Sequence, residues 1–233
     1  ARKDVDCVYV CTPYAHTSAL VKRVLGYKKK VLSEVPLPKF RDIQQIAIAG
    51  DRFLMLAYHR RFDSEYRKAK VFIEELGAIS SLVVESRDTV PSSTDAVDTL
   101  YKSVVHDLDT ISWLLEDVDC ELSLKSIKIH GPASSISIVV NVWLKKYDKT
   151  VDAHVLYSRG SPVYRQHVTV NGKTFGYESK ASPTNFIDTF CDAYARMFQF
   201  FANVCPTPGQ GRSCVTYGQA HELLIDAIEK VQT

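Results

Sequence analysis

The residues whose type and spacing could do chemistry unaided are few: six cysteines, one Gly-x-Gly and three short basic runs. The cysteines stand at 7, 11, 120, 191, 205 and 214. Thiolates hold zinc when they come as close, converging pairs, and no Cys-x-x-Cys occurs. Cys7 and Cys11 fall on one face of a predicted strand and read as small core residues. A zinc pair stays open as the alternative, although no second ligand pair matches their spacing. The thiols read as reduced, which assigns the protein to the cytoplasm. Gly209-Gln210-Gly211 is the only Gly-x-Gly. A phosphate cradle needs a strand before it and a helix after it, and this one lies between two late helices. Lys28-Lys29-Lys30, Arg60-Arg61 and Lys145-Lys146 are too scattered to make a stripe. A formal net charge of +2 gives no pull toward nucleic acid or a membrane surface.

The elements that must position a site are those of a two-part α/β chain. With 233 residues, 45% hydrophobic and 24% charged, the composition is that of a soluble globular protein. No apolar run reaches the roughly 18 residues of a membrane span, and Ala1-Arg2-Lys3-Asp4 lacks the apolar stretch of a signal peptide. Residues 5–11 form a β-branched run that reads as a strand buried on both faces. A helix at 18–25, a strand at 30–33, a helix at 41–49 and a strand at 53–57 follow. Strands alternating with helices over short loops predict parallel βαβ units. After residue 60 the pattern changes. A helix spans 64–76 and stops at Gly77. Longer alternating strands are expected at 79–88, 122–130, 136–146, 151–158 and 164–170, interrupted by a helix at 100–115. Asn171-Gly172 is a hairpin turn, and helices are expected at 185–204 and 217–231. The expectation is a partial dinucleotide-binding unit, 1–60, then an open, mostly antiparallel sheet with helices on one face, 61–233.

Three motifs occur in order along this frame. The first is Val8-Tyr9-Val10-Cys11-Thr12-Pro13, followed one helix later by Val31-Leu32-Ser33-Glu34-Val35-Pro36-Leu37. The second is Tyr58-His59-Arg60-Arg61-Phe62-Asp63. The third is Val105-His106-Asp107-Leu108-Asp109, four residues before Trp113-Leu114. Together they resemble the Gfo/Idh/MocA oxidoreductases, especially the inositol dehydrogenase and dihydrodiol dehydrogenase branches. The two late helices, with Ser213-Cys214-Val215-Thr216 between them, fit the same pattern. The resemblance implies a Rossmann domain for NAD or NADP and an open sheet shaping a polyol, sugar or dihydrodiol pocket. It also implies a homo-dimer or higher oligomer through that sheet. The site would lie at the carboxyl ends of the parallel strands. There Thr12 and Pro13 would line the nicotinamide ribose, and Glu34 would approach the nicotinamide. Arg60 or Arg61 would face the cofactor, and His106 would act as acid or base. Local alternatives are a plain strand-ending turn at Thr12-Pro13, a surface carboxylate at Glu34, arginines that solvate a hinge, and a buried, hydrogen-bonded His106.

The sequence also departs from the resemblance. Oxidising a secondary alcohol needs a group to take the hydroxyl proton and a donor to polarise the carbon–oxygen bond. The family places a lysine there, in Glu-Lys-Pro, and this chain has Val35. The inositol dehydrogenase branch places an aspartate four residues before the histidine, where this chain has Lys102. That ammonium is expected to favour neutral His106, with an outside role as stand-in for the lost lysine. A small glycine pair of the pocket wall is replaced by Val97-Asp98. The chain opens at what reads as the fourth strand, without a glycine-rich phosphate turn. That leaves 5–11 as an edge expected to pair or aggregate. The sequence therefore reads as an oxidoreductase fold with degenerate catalysis. A polyol dehydrogenase, a non-catalytic ligand-binding or regulatory relative, and a dimerisation module all remain open.

Overall fold

The computed structural model describes residues 2–89, 95–131, 135–179, 186–203 and 218–232. Gly209-Gln210-Gly211, Ser213-Cys214-Val215-Thr216 and Cys205 lie outside them. Among the described residues no helix is long and apolar enough to cross a membrane.

The first part is a three-stranded parallel sheet, ordered β1 (Cys7–Val10), β2 (Lys30–Ser33) and β3 (Leu54–Leu56). Tyr9, Leu32 and Met55 stand in register across it. Two helices connect the strands, α1 (Tyr14–Gly26) and α2 (Phe40–Ala49). Helix α1 buries Thr17, Val21 and Leu25, a spacing of four that keeps one stripe against the sheet. It begins four residues earlier than the apolar periodicity suggests, because Pro13 occupies its N-cap and a proline's fixed φ suits a helix entry. Strand β1 corrects the expectation of two buried faces. Val10 is buried, Val8 and Tyr9 are half-buried, and Cys7 and Cys11 are exposed. Cys7, in β1, and Cys11, just after it, are therefore not buried among core residues in this structure.

The second part is a six-stranded sheet in the order β5-β6-β7-β4-β8-β9. These are β4 (Leu82–Arg87), β5 (Cys120–His130), β6 (Ser135–Leu144), β7 (Lys149–Ser158), β8 (Tyr164–Val170) and β9 (Lys173–Ser179). β5, β6 and β7 form the expected meander, but β4 inserts between β7 and β8 and runs parallel to β7. A parallel pair needs a long crossover, and the helical segment 96–114 supplies it. That segment comprises α4 (Ala96–Thr99), a π-helical turn (Leu100–Val104) and α5 (Val105–Leu114). Strict alternation in β4 and β6 buries one face and leaves the other half-open. Helices α3 (Ser64–Leu76), α5 and α7 (Gly218–Gln232) belong to the buried side. Asp63 caps α3 by accepting from the amides of Glu65 and Tyr66, and Gly77, at φ +65°, ends it. Asn171 and Gly172 both take positive φ, the two-residue turn that matches strand twist. It adds β9, a strand absent from the periodicity reading. Helix α6 (Phe186–Asn203) packs on the Tyr9 face of the first sheet, with Phe198 edge-on to Tyr9 and Phe201 against Phe53.

Candidate functional site

Two of the sequence motifs meet at the junction of the sheets. A 3₁₀ turn, His59–Phe62, leaves β3 and carries two arginines into the protein. Both are 7% exposed. Arg60 Nη1 donates to Asp107 Oδ1 at 2.5 Å, and Nη2 donates to Gln166 Oε1 at 2.6 Å. Ser86 Oγ donates to the same Asp107 oxygen at 2.6 Å. Arg61 grips Asp109 with two parallel bonds, from Nε at 2.9 Å and from Nη2 at 2.6 Å. A guanidinium can be buried only when carboxylates and further acceptors replace its water. That is why consecutive arginines of one motif meet alternate aspartates of the other. The arginines therefore do not solvate a hinge. Their bonds go to α5 and the six-stranded sheet rather than toward the carboxyl ends of β1 and β2.

Those carboxyl ends lie side by side, since the Glu34 amide donates to the Val10 carbonyl at 2.9 Å. Thr12 and Pro13 form the turn between β1 and α1. The Thr17 hydroxyl donates to the Thr12 carbonyl at 3.0 Å and holds that turn closed. Glu34 accepts a short hydrogen bond from the Tyr9 hydroxyl. Burial pushes its carboxyl pKa up, against the pull of that bond. Val35 is half-buried against the core and joins Pro36 through a cis peptide. His106 begins α5 half-buried, and its Nδ1 has no hydrogen-bond partner among the described residues. Its ring lies 4.9 Å from that of His59 and edge-on to Tyr58. Burial first, and then the Arg60 charge, push the His106 pKa down to about 3. The expectation for this imidazole thus has the right sign and the wrong cation. Lys102 is 53% exposed and reaches back to Asp98 at 2.8 Å, so it is not the charge that acts on His106 and does not stand in for a pocket lysine.

Glu34 and His106 are linked through rings that the motifs did not single out. Tyr9 meets Phe198, Phe198 meets Tyr194, Tyr194 stacks on His59 at 4.9 Å, and His59 meets His106. The signal was present: Phe190, Tyr194 and Phe198 recur every four residues on α6. His59 lies inside the Tyr58–Asp63 motif, next to the two arginines.

Chemically, Glu34, at the crevice outside the strand ends, and the neutral imidazole of His106 can each accept a hydrogen bond, and the rings that link them present apolar faces. An isopropyl group at Val35 neither takes a proton nor polarises a bond. The adjacent ends of β1 and β2 fit the nicotinamide-ribose end of a dinucleotide, where a parallel sheet binds such a group. The turn from β1 into α1, Pro13-Tyr14-Ala15, is not itself a glycine turn of the kind that cradles a pyrophosphate. The one Gly-x-Gly of the sequence, Gly209-Gln210-Gly211, is outside the described residues. No group of three or more histidine, cysteine or acidic side chains among the described residues is placed to hold a metal.

No family model matches the chain. Over 140 residues it is 28% identical to an uncharacterised oxidoreductase, YrbE, of Bacillus subtilis, covering 56% of this chain and 41% of that protein. Over 140 residues it is 32% identical to inositol 2-dehydrogenase 1 of Mycolicibacterium vanbaalenii, covering 57% and 39%. The match thus spans about two fifths of each of these relatives. Among solved structures, myo-inositol dehydrogenase of Lactobacillus casei, in complex with NAD(H) and myo-inositol, superposes with a TM-score of 0.78. That match is at 17% identity and covers 99% of this chain and 76% of that one.

Proposed function

Starting from a chain that is a relative of the Gfo/Idh/MocA oxidoreductases in sequence and fold, we propose that this protein binds a polyol or sugar-like ring and has lost hydride transfer. The observation that carries this reading is the pair of substitutions Val35 and Lys102, with Lys102 turned outward to Asp98. Neither position then supplies an ammonium or a carboxyl to work with His106, whose imidazole stays neutral at physiological pH. A group with so low a pKa is a weak base, and efficiency in proton transfer needs a pKa near the working pH.

In this reading residues 1–60 form the cofactor side and 61–233 the ligand side. Thr12, Pro13 and Glu34 would hold the nicotinamide ribose of NAD or NADP, which supplies hydride-acceptor chemistry when bound. Arg60 and Arg61 support the site from behind, by fixing α5 and so His106. His106 and Glu34 accept hydrogen bonds from ligand hydroxyls, and Tyr194 and Phe198 exclude water beside them. A homo-dimer would use the half-open face of the six-stranded sheet, where Trp143 and Leu156 are each 41% exposed. The free thiols of Cys7, Cys11, Cys120 and Cys191 are in keeping with a reducing cytoplasm.

The test combines calorimetry with assays of NAD(P)-linked oxidation of myo-inositol, glucose and trans-dihydrodiols by the full protein. Binding of one of these rings without turnover is expected. Steady turnover above roughly 1 s⁻¹, a low enzyme rate, would overturn the loss of catalysis. In a version that carries the glycine-rich unit, Val35→Lys with Lys102→Asp is expected to raise activity by more than the two single changes combined, because both act on one hydroxyl.

A further inference from the structure

We propose that the protein carries a second binding site, separate from the crevice of Glu34 and His106, for a small phosphomonoester borne on a ring. It is a cavity of about 390 Å³ between α1, the Pro38-Lys39 loop and the π-helical turn. Ligand pockets typically run from about 300 to 1,000 Å³ and favour the seam between two units. One wall is a pair of tyrosines, one from each part of the chain. Tyr14 and Tyr101 stack with ring centroids 5.6 Å apart and planes 12° from parallel. Ala15 and Ala19, one helical turn apart, form the floor, and their short side chains are what leave the space. Ser18 Oγ donates to the Pro38 carbonyl and fixes the third wall against α1.

Every charged group on the lining is a cation. Lys22 and Lys39 are there, and no carboxylate is. The carboxylate nearest Lys22 is that of Asp42, 3.9 Å away, with both side chains well exposed. Such a pair contributes little, and Lys39 has no ion pair among the described residues. Two ammonium groups beside an aromatic wall select a ligand with two parts. An anion answers the lysines, and an apolar face, of a sugar ring or a planar base, lies on the tyrosines. A neutral polyol leaves the lysines unanswered, and inorganic phosphate leaves the rings bare. The site shares no residue with the crevice and does not rest on the polyol reading.

Calorimetry on the full protein at low salt tests this, with glucose 6-phosphate, AMP, glucose and inorganic phosphate as probes. At least one of the two ring phosphates is expected to bind about tenfold more tightly than glucose or phosphate, a difference of about 1.4 kcal/mol, and to weaken as salt rises. The comparison of glucose 6-phosphate with AMP tells a sugar face from a planar base. Lys22→Gln with Lys39→Gln changes two surface positions and is expected to cost about tenfold in affinity with an unchanged melting temperature. His106→Asn is expected to leave the affinity as it is. The proposal is overturned if neither ring phosphate binds, if phosphate alone binds as tightly, if the double lysine variant keeps its affinity, or if His106→Asn removes it.

Discussion

The junction and the crevice are neighbours in sequence and opposites in construction. Asp107 sits one residue from His106, yet its Oδ1 belongs to a lattice of guanidinium, hydroxyl and amide with Arg60, Ser86 and Gln166, while Arg60 Nε and Asp107 Oδ2 have no partner among the described residues. The crevice instead surrounds His106 with rings and leaves its Nδ1 without a hydrogen bond among the described residues. Full charge can be buried when its partners are buried with it, whereas a titratable group among rings stays neutral. The same short stretch of α5 therefore serves stability with one residue and sets the character of the site with the next.

Breaking the junction is expected to have the largest effect. Asp107→Ala leaves the Arg60 guanidinium buried without its carboxylate, and loss of one member of a buried pair costs about 3–5 kcal/mol. Urea unfolding monitored by circular dichroism measures it. A loss below about 1 kcal/mol would mean that the pair is solvated after all. Replacing both partners, Arg60→Met with Asp107→Leu, is expected to recover most of the loss, because no uncompensated charge remains.

An intermediate effect is expected from acid. His59 and His106 both have pKa values below the ordinary histidine value, chiefly through burial. The unfolded chain binds protons at these histidines from about pH 6.5 downward, while the folded chain does not until far lower, near pH 3 for His106. Stability is therefore whole above pH 6.5 and falls as pH drops from there toward 3. The carboxyls of Glu34, Asp107 and Asp109, raised mainly by burial, act in the opposite sense. The histidine contribution is thus read by difference. The slope of unfolding free energy between pH 7 and 5 is expected to flatten in His59→Phe with His106→Asn. An unchanged slope would show that the imidazoles are not held neutral.

The smallest effect is expected at Lys102, which sharpens the comparison from outside both clusters. The Lys102 end of its ion pair with Asp98 is 53% exposed, so Lys102→Ala is expected to change stability by less than about 1 kcal/mol. It should also leave the titration of His106 by NMR where it is. A shift of that titration would return Lys102 to the crevice.

What the sequence determined by itself is whatever a few neighbouring residues decide among themselves. Period-two alternation marked β4 and β6, Gly77 ended α3, and Asn171-Gly172 turned the last hairpin, because local φ/ψ preference and one buried face suffice for each. The absence of a lysine at Val35 was equally plain, being a matter of residue type alone. The tertiary structure decided what covers each face and which distant group answers which. It placed β4 beside β7 and left Cys7 and Cys11 exposed. It paired Arg60 and Arg61 with aspartates some 47 and 48 residues away. It also stacked Tyr194 of α6 on His59 and made Arg60, not Lys102, the cation felt by His106. Periodicity reports that a side is buried, but it carries no record of its partner, since burial free energy is non-directional and chain topology alone brings remote side chains within hydrogen-bond reach.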